Sequence, residues 1–276
     1  MSPRAFVGGA SAALSLWLAA GVAAAASPCA GSRPGVGVPI QVRAAADNAG
    51  DFGTPQEACA RTSVALDTRL AVLDASDVFY GSVYVAGNMR GTVDLPWGFW
   101  ISFAVPGLEY RYVANATVDQ KTVSMGAGAL GVHVPVMGDA RTQLTLAVRA
   151  LVPSETIFVR AKRYGFEQGL SLLRQLGPQL ELDGNLGAVA LATVGPGRET
   201  LRFSPFVSAD FVYRPWRALG LAAGVNLRPL DALDLRMQVR VYPYRSLAIA
   251  LGAAAPVVGR DRTDLAGAFS LGWDGF

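Results

Sequence analysis

The amino-acid sequence predicts an all-β fold, a closed antiparallel up-and-down transmembrane β-barrel of about twelve strands. Three observations lead to this prediction. Apolar and polar residues alternate along much of the chain, the alternating segments are long enough to cross a bilayer, and aromatic residues gather at their ends. The 276-residue chain is also apolar, because 51% of its residues are hydrophobic and only 16% are charged. The net charge of +3 is too small to indicate a nucleic-acid partner.

Residues 1–26 are predicted to be a signal peptide. Arg4 supplies the positive start, residues 10–22 form an apolar stretch, and small residues at 24–26 permit cleavage before Ser27. A membrane anchor is the alternative. Export through this peptide, together with the predicted transmembrane barrel, predicts a location in the bacterial outer membrane.

The two cysteines, Cys29 and Cys59, lie in one Gly/Pro-rich stretch after the predicted cleavage site. In an oxidising compartment they are expected to form a disulfide, and two free thiols are the alternative. A bridge closing a loop of about 30 residues would stabilise the fold by ~3.5 kcal/mol. We predict residues 27–60 to be a periplasmic or plug-like segment and residues 61–276 to be the barrel.

A helical membrane protein is disfavoured, because no run after residue 26 supplies the ~20 apolar residues of a spanning helix. The longest charge-free stretch, residues 122–138, contains His133, Pro135 and four glycines. Helix interiors tolerate such residues poorly. Extended strands are therefore the better reading of this apolar sequence.

The strands are taken in chain order from the alternation. The segment 62–73 places Val64, Leu66, Leu70 and Val72 opposite Ser63, Asp67 and Arg69. The segment 78–95 places Val83, Val85, Met89, Val93 and Leu95 opposite Asn88, Arg90, Thr92 and Asp94. The segment 142–153 opposes Leu144, Leu146 and Val148 to Gln143, Thr145 and Arg149. Around 180, Leu180 and Leu182 oppose Gln179, Glu181 and Asp183. In 232–242, Leu235, Met237, Val239 and Val241 oppose Asp234, Arg236, Gln238 and Arg240.

Twelve strands result from this alternation and its punctuation: 62–73, 78–95, 98–112, 122–136, 142–153, 166–176, 179–193, 201–213, 217–228, 232–242, 246–257 and 264–276. An even number places both chain ends on one side, which we expect to be periplasmic. The short turns LPWG, MGDAR, LGPQ, YRPWR and YPYR would lie at that end. Free sheet edges cannot face hydrocarbon, so the last strand is expected to pair with the first.

Side chains of the polar face are the candidates for facing the lumen. They are Asp67, Arg69, Asn88, Arg90, Asp94, Arg149, Glu181, Asp183, Arg202, Asp210, Asp234, Arg236, Gln238 and Arg240. Small inward residues that could leave room for a cavity or a plug are Gly220, Ala222, Gly224, Ala248, Ala250 and Gly252.

Aromatic residues are predicted to form two girdles at the membrane boundaries. The periplasmic girdle comprises Trp97, Phe99, Trp100, Tyr213, Trp216, Tyr242, Tyr244, Trp273 and Phe276. The opposite girdle comprises Phe79, Tyr80, Tyr110, Tyr112, Phe158, Tyr164, Phe166 and Phe203. Packing of these rings near the turns of a soluble β-domain is the alternative.

The C-terminal stretch LAGAFSLGWDGF resembles the last strand of bacterial outer-membrane β-barrel proteins. It alternates Leu265, Phe269, Leu271 and Trp273 and ends on Phe276. Asp274 stands where that family prefers an apolar residue, and a bulge at 274–275 could restore the phase. Glycine-rich strands with proline breaks also resemble small, transporter- or porin-like barrels of about twelve strands. The resemblance implies insertion into lipid and recognition of this strand by the outer-membrane assembly machinery.

Three functional hypotheses follow. The first is a pore or transporter for a small solute, with the polar residues alternatively forming a structural ion-pair network. The second is a structural or lipid-modifying outer-membrane barrel. The only histidine, His133, could serve a hydrolase, but the H-x-S pattern of barrel lipases is broken by Pro135. The third is a soluble periplasmic β-domain that binds a ligand. We predict no catalytic residue, metal site or cofactor, since the sequence contains no phosphate loop, metal cluster or nucleotide fingerprint.

Overall fold

A computed structural model describes residues 58–59, 62–76, 79–96, 98–105, 107–115, 119–125, 128–152, 155–156, 161–195, 198–228, 232–244, 246–259 and 265–274. The predicted signal peptide and all of the predicted segment 27–60 except Ala58 and Cys59 lie outside these residues.

The described residues form fifteen antiparallel strands. They are β1 Ser63–Ser76, β2 Phe79–Asp94, β3 Trp100–Val105, β4 Leu108–Asn115, β5 Asp119–Met125, β6 Gly128–Gly138, β7 Thr142–Val152, β8 Glu155–Thr156, β9 Ala161–Gln175, β10 Leu180–Gly195, β11 Arg198–Trp216, β12 Leu219–Arg228, β13 Ala232–Tyr244, β14 Leu247–Gly259 and β15 Leu265–Asp274. None of the described residues belongs to a helix with the length and apolarity needed to span a bilayer.

In the described part of the chain, the barrel wall consists of twelve strands. β3 and β4 pair side by side along β2 and act as one strand, and β5 and β6 pair with them as the next. The two-residue β8 pairs only with β9. All remaining neighbours follow chain order, as in an up-and-down barrel. The predicted twelve strands are confirmed, with ends shifted by a few residues.

The barrel closes between the first and last strands. Ser63 pairs with Asp274, and the register continues without a shift to Val72 opposite Leu265. β1 also pairs with β2, so neither of its edges is left open. The predicted closure is confirmed, and the register is regular up to Asp274, whereas residues 275 and 276 lie outside the described residues.

Irregularities interrupt several strands, and two of them lie next to a proline. Val105 ends β3 and Leu108 begins β4, with Pro106 between them in the sequence, and a proline cannot donate to a strand ladder. The pairing of β6 with β7 shifts by one residue just after Pro135. The pairing of β1 with β2 shifts between Asp67 and Arg69, which interrupts the unbroken alternation predicted for 78–95.

Burial alternates along the strands with a period of two. On β13, Leu235, Met237 and Val239 are 50%, 70% and 42% exposed, whereas Arg236 and Arg240 are buried. Because the described strands form one closed layer, the buried face is the inner face. The outer face is apolar on nearly every strand, far beyond the patches of a few hundred Å² that soluble monomers expose.

Close packing at the inner face depends on glycine where strands β9, β10 and β11 meet. Gly187 pairs with Gly169, and the buried ring of Phe206 lies against both. A Cβ on Gly187 would lie 2.6 Å from the Gln168 carbonyl oxygen and 2.7 Å from Phe206 Cζ. These contacts are too short for any carbon, so the ring requires glycine beneath it.

Two short turns show their sequence determinants. Gly98 has a φ of 76° and its amide donates to the Leu95 carbonyl at 3.1 Å, so the turn between β2 and β3 needs a residue that adopts positive φ. Between β6 and β7, Asp139 Oδ1 accepts hydrogen bonds from the amides of Arg141 and Thr142, both at 2.7 Å. These bonds hold the pKa of the Asp139 carboxyl below its ordinary value.

Candidate functional site

The inner face of the barrel is the candidate site. Buried polar and charged residues on it come from strands all around the barrel. Buried charges are expected to be paired and hydrogen-bonded, because desolvation penalises an isolated charge heavily. The described contacts show how the alternating sequence meets this requirement.

One side of the inner face carries two arginine–carboxylate pairs. Arg149 on β7 and Glu167 on β9 are register partners, and Arg149 Nη2 donates to both Glu167 oxygens at 3.0 and 2.8 Å. Arg90 on β2 donates from Nε to Asp67 Oδ2 on β1 at 2.6 Å. Asp67 and Glu167 are 1% and 0% exposed, so both carboxylates are removed from bulk water.

The opposite side carries a pair that spans an intervening strand. Arg236 on β13 donates from Nε and Nη2 to the two oxygens of Asp210 on β11, at 2.6 and 2.5 Å. Gly224 on β12 lies between them in the register. A Cβ on Gly224 would collide with the Asp210 carboxylate, so the glycine provides the space through which the pair forms. This glycine was predicted to leave room for a cavity or a plug, and the Asp210 carboxylate of the ion pair occupies the space beside it.

A further pair joins Arg214 on β11 to Glu181 on β10 at 3.1 Å. Asp183 on β10 is the register partner of Asp210, so carboxylates and arginines are interleaved along this part of the wall. Arg240 Nε donates to Gln238 Oε1 on its own strand at 2.9 Å. The paired charges cancel, so this wall offers no large field of one sign.

The predicted lumen residues take the following positions. Asp67, Asn88, Arg149, Glu181, Asp210, Asp234, Arg236 and Arg240 are buried. Arg90, Asp183 and Gln238 are half-buried, and Asp94 and Arg202, nearer the strand ends, are exposed. The side chain of Arg69 lies outside the description.

Sequence reasoning missed several inner-face polar residues. They include Glu167, Arg214, Ser171, Asn185 and Asn226, whereas Gln143 and Thr145, predicted on the polar face of their strand, are buried as that pattern requires. Glu167 and Arg214 were placed at a strand start and in a turn, because the predicted strands 166–176 and 201–213 were too short. Continuing the period of two by a few residues would have found both.

The aromatic residues divide between the two faces. Trp216, Tyr244 and Trp273 are 69%, 72% and 50% exposed on the outer side of the barrel. Trp100 and Tyr242 are only 5% and 4% exposed, and the structure corrects their assignment to an outward girdle. These two rings were predicted to face lipid because they lie near the end of a strand. Their place in the two-residue alternation directs them to the inner face instead. Trp97, Phe158 and Phe276 lie outside the described residues.

The remaining aromatic residues of the two predicted girdles are distributed as follows. Tyr110, Tyr164, Phe166, Phe203 and Tyr213 are exposed, and Phe99 and Tyr112 are half-buried. The side chains of Phe79 and Tyr80 lie outside the description.

His133 forms a contact that bears on the hydrolase hypothesis. Its Nε2 lies 2.8 Å from Ser102 Oγ, and its ring stacks on Trp100 with centroids 5.4 Å apart. A serine nucleophile needs a histidine oriented by a third group. His133 Nδ1 is buried and has no hydrogen-bond partner in the described part of the chain. The cluster therefore resembles a packed pair more than a catalytic triad.

A stretch of the inner wall is lined with alanine. We call Ala65, Ala248, Ala250, Ala254, Ala266 and Ala268 the alanine wall; it lies on β1, β14 and β15. Its residues are between 0% and 9% exposed, although each carries a single methyl group. Among the described residues, no cluster of histidine, cysteine and carboxylate side chains could hold a metal ion.

The N-terminal edge of the described chain also lies at the inner face. Thr145 Oγ1 on β7 donates to the Ala58 carbonyl oxygen at 2.7 Å. Thr145 is fully buried and Ala58 is 4% exposed. The chain is therefore already inside the barrel before β1 begins at Ser63.

Comparison with solved structures identifies the fold. A COG4313 outer membrane channel from Pseudomonas putida F1 matches 79% of this chain and 97% of its own, with a TM-score of 0.62 and 12% identity. A KdgM porin matches 78% of this chain and 99% of its own, with a TM-score of 0.51 and 6% identity. No protein-family model matches the chain, and no curated protein is a detectable relative. The chain thus has the fold of bacterial outer-membrane β-barrels.

Proposed function

We propose that the chain is an outer-membrane channel that conducts a small polar solute. The observation that carries the proposal is the separation of the two faces: an apolar outer surface on a closed barrel, around an inner face of hydrogen-bonded polar groups. Lipid contact favours the first and water or a hydrated solute favours the second. Both chain ends would face the periplasm, as expected for twelve strands.

The inner charges support weak rather than strong charge selectivity. Pairs such as Arg149–Glu167 and Arg236–Asp210 cancel locally, so neither cations nor anions meet a ring of one sign. A strongly selective pore would instead carry a ring of like charges. The likeness to a COG4313 channel and a KdgM porin is consistent with this proposal and names no solute for this chain.

The proposal also covers how the protein reaches its site. We propose that residues 1–26 direct export, that the closing strand β15 is recognised by the assembly machinery, and that Cys29 and Cys59 form a disulfide. Cys59 is not a free thiol, and Cys29 is the only other cysteine of the chain. We assign no enzymatic role to Ser102 and His133. Lipid hydrolysis that survives in the folded protein and disappears in His133→Ala would reverse that assignment.

The test is conductance of the folded, purified chain in a planar lipid bilayer. Folding is checked first by heat-modifiable gel migration. Stepwise currents with weak ion selectivity are expected, and Ala222→Trp should reduce them because Ala222 is buried on the inner face. The matched control is Ala223→Trp, whose side chain is exposed on the outer face and should leave the current unchanged. A folded protein without currents, or currents insensitive to Ala222→Trp, would contradict the proposal.

A further inference from the structure

Hydrogen-bonding side chains form a continuous row across the inner face. Each of them is the register partner of the next, from Thr145 on β7 to Asp234 on β13, over six neighbouring strands of the barrel. Every member is 6% exposed or less. We call this set the polar row; it comprises Thr145, Ser171, Asn185, Ser208, Asn226 and Asp234.

The polar row lies between an ion pair and an apolar contact. Two residues further along their strands from Ser208 and Asp234, Asp210 and Arg236 bind each other. Two residues in the other direction on β11, the buried ring of Phe206 lies against glycine. Only Asp234 in the row is charged, so most of the row offers neutral hydroxyl and amide groups.

Two neighbouring members of the row have polar atoms without a partner. Ser171 Oγ donates to Asn185 Oδ1 at 2.8 Å, so these two groups are bonded within the protein. In contrast, Ser208 Oγ and both amide atoms of Asn226, Oδ1 and Nδ2, are buried and have no hydrogen-bond partner in the described part of the chain. Burying such atoms unpaired costs folding free energy, because they lose their hydrogen bonds to water. A molecule entering from the lumen would satisfy them.

The unpartnered atoms define the chemistry of that molecule. Ser208 and Asn226 are register partners, so their Cβ atoms lie about 4.5–5.5 Å apart. The hydroxyl both donates and accepts, and the amide offers one acceptor and two donor hydrogens. Adjacent hydroxyl groups of a solute match this set, since each of them also donates and accepts. A cation would leave the Asn226 N–H groups unsatisfied, and an anion would meet the Asp234 carboxylate, the next member of the row.

The row adjoins a part of the inner face that solvent reaches. Gly224 is half-buried and lies two residues from Asn226 on β12, and Asp183 is half-buried and lies two residues from Asn185 on β10. Gly224 has no side chain, and the Asp210 carboxylate stands beside it. Because Ser208 and Asn226 are each 2% exposed, binding requires a neighbouring side chain to move aside at this edge.

We propose that Ser208 and Asn226 form a binding subsite for an uncharged, hydroxyl-rich solute, a sugar or polyol, with Asp234 accepting a further hydrogen bond. This proposal rests on the proposed channel for its role, since it names the class of solute that the channel selects. The binding itself is independent of conductance. Water satisfies the same atoms, so the test includes the outcome in which water is the only ligand.

Saturation-transfer NMR with D-ribose as the probe tests binding to the folded full-length protein in detergent micelles. Saturation of protein aromatic protons should transfer to ribose, and the double variant Ser208→Ala with Asn226→Leu should raise the dissociation constant about fivefold or more. Neither substitution buries a new polar atom, and Ser208→Ala alone is a second variant if the double variant fails to fold. The matched control, Val207→Ala with Val225→Leu, changes the adjacent residues on the outer face and should bind ribose unchanged. Absence of transfer to ribose, as expected for water alone, or equal binding by the double variant, would overturn the proposal.

Swelling of vesicles that contain the protein tests the consequence for transport. D-ribose and triethylene glycol are both uncharged and of nearly equal mass, but ribose has more hydroxyl groups. The unmodified protein should pass ribose faster than triethylene glycol, and the double variant should lose this preference while passing triethylene glycol unchanged. Equal rates for both solutes in the unmodified protein would refute selection by the row. Absence of swelling with either solute, with ribose binding intact, would refute the proposed channel but leave the subsite standing.

Discussion

Removal of Arg236 tests whether the inner ion pairs are withdrawn from water. In Arg236→Met, Asp210 loses a partner that binds both of its oxygens, at 2.6 and 2.5 Å. The arginine and aspartate side chains are only 9% and 12% exposed. Asp210 would also face Asp183, its register partner, without the neighbouring positive charge.

The burial decides the expected size of the effect. Breaking a buried pair by removing one partner costs about 3–5 kcal/mol, whereas a solvent-exposed pair contributes about 0–1 kcal/mol. We therefore expect Arg236→Met to lower the free energy of unfolding by about 3 kcal/mol or more. Replacing both residues, Arg236→Met with Asp210→Leu, should recover most of that loss because no charge is left buried.

Urea titration of the protein in lipid vesicles, followed by tryptophan fluorescence, measures these differences. Arg174→Met is the matched control, since Arg174 is exposed on β9 and its loss should change stability by no more than about 0.5 kcal/mol. If Arg236→Met costs less than about 1 kcal/mol, the pair is hydrated and the reasoning from its burial is wrong.

Three further predictions concern the outer face, the glycines and a turn. Leu186→Arg, at the middle of β10 and 56% exposed, should lower the free energy of unfolding in vesicles by ~2–4 kcal/mol. Val136→Arg, near a strand end, should lower it by only ~0–1 kcal/mol. Equal losses would contradict a lipid-facing surface. Gly187→Ala should destabilise by ~1–3 kcal/mol by overpacking, while Gly177→Ala, with no atom within 4 Å of its added Cβ, should be nearly neutral in the same titration. Asp139→Ala should be less stable than the unmodified protein at neutral pH. Because the folded pKa of Asp139 is lowered, this deficit should shrink as pH falls below 3.8, and a deficit unchanged by acid would refute the role of the carboxylate.

The sequence predicted the strands well because a closed single-layer sheet gives each residue only two environments. The alternation from Leu235 to Arg240 corresponds to exposed residues on one face of β13 and to buried or, at Gln238, half-buried residues on the other. Closure of the barrel was predictable for a second reason, because unpaired backbone N–H and C=O groups cannot face hydrocarbon. A local sequence pattern was sufficient wherever side chains alternate between the outer and the inner face every two residues along a strand.

The errors lie where a strand's partner decides the outcome. The shift between β1 and β2 near Asp67 depends on how two distant segments align, which neither segment encodes alone. Trp100 and Tyr242 were assigned from their height, although the ring of Trp100 finds His133 on a neighbouring strand. The pairing of Arg236 with Asp210 across Gly224 likewise emerges only when three strands are side by side.

The seam between β1 and β15 has a consequence for biogenesis. Ser63 meets Asp274 only after almost the entire barrel sequence has been synthesised, so the first strand must wait with an unsatisfied edge. Contacts between such distant segments form slowly, and the waiting edge can recruit foreign strands. Loss of β15 would therefore leave unpaired edges on β1 and β14, and it would not produce a closed barrel with one strand fewer. A nonsense mutation in the codons of β15 should therefore be as damaging as one in the middle of the barrel sequence.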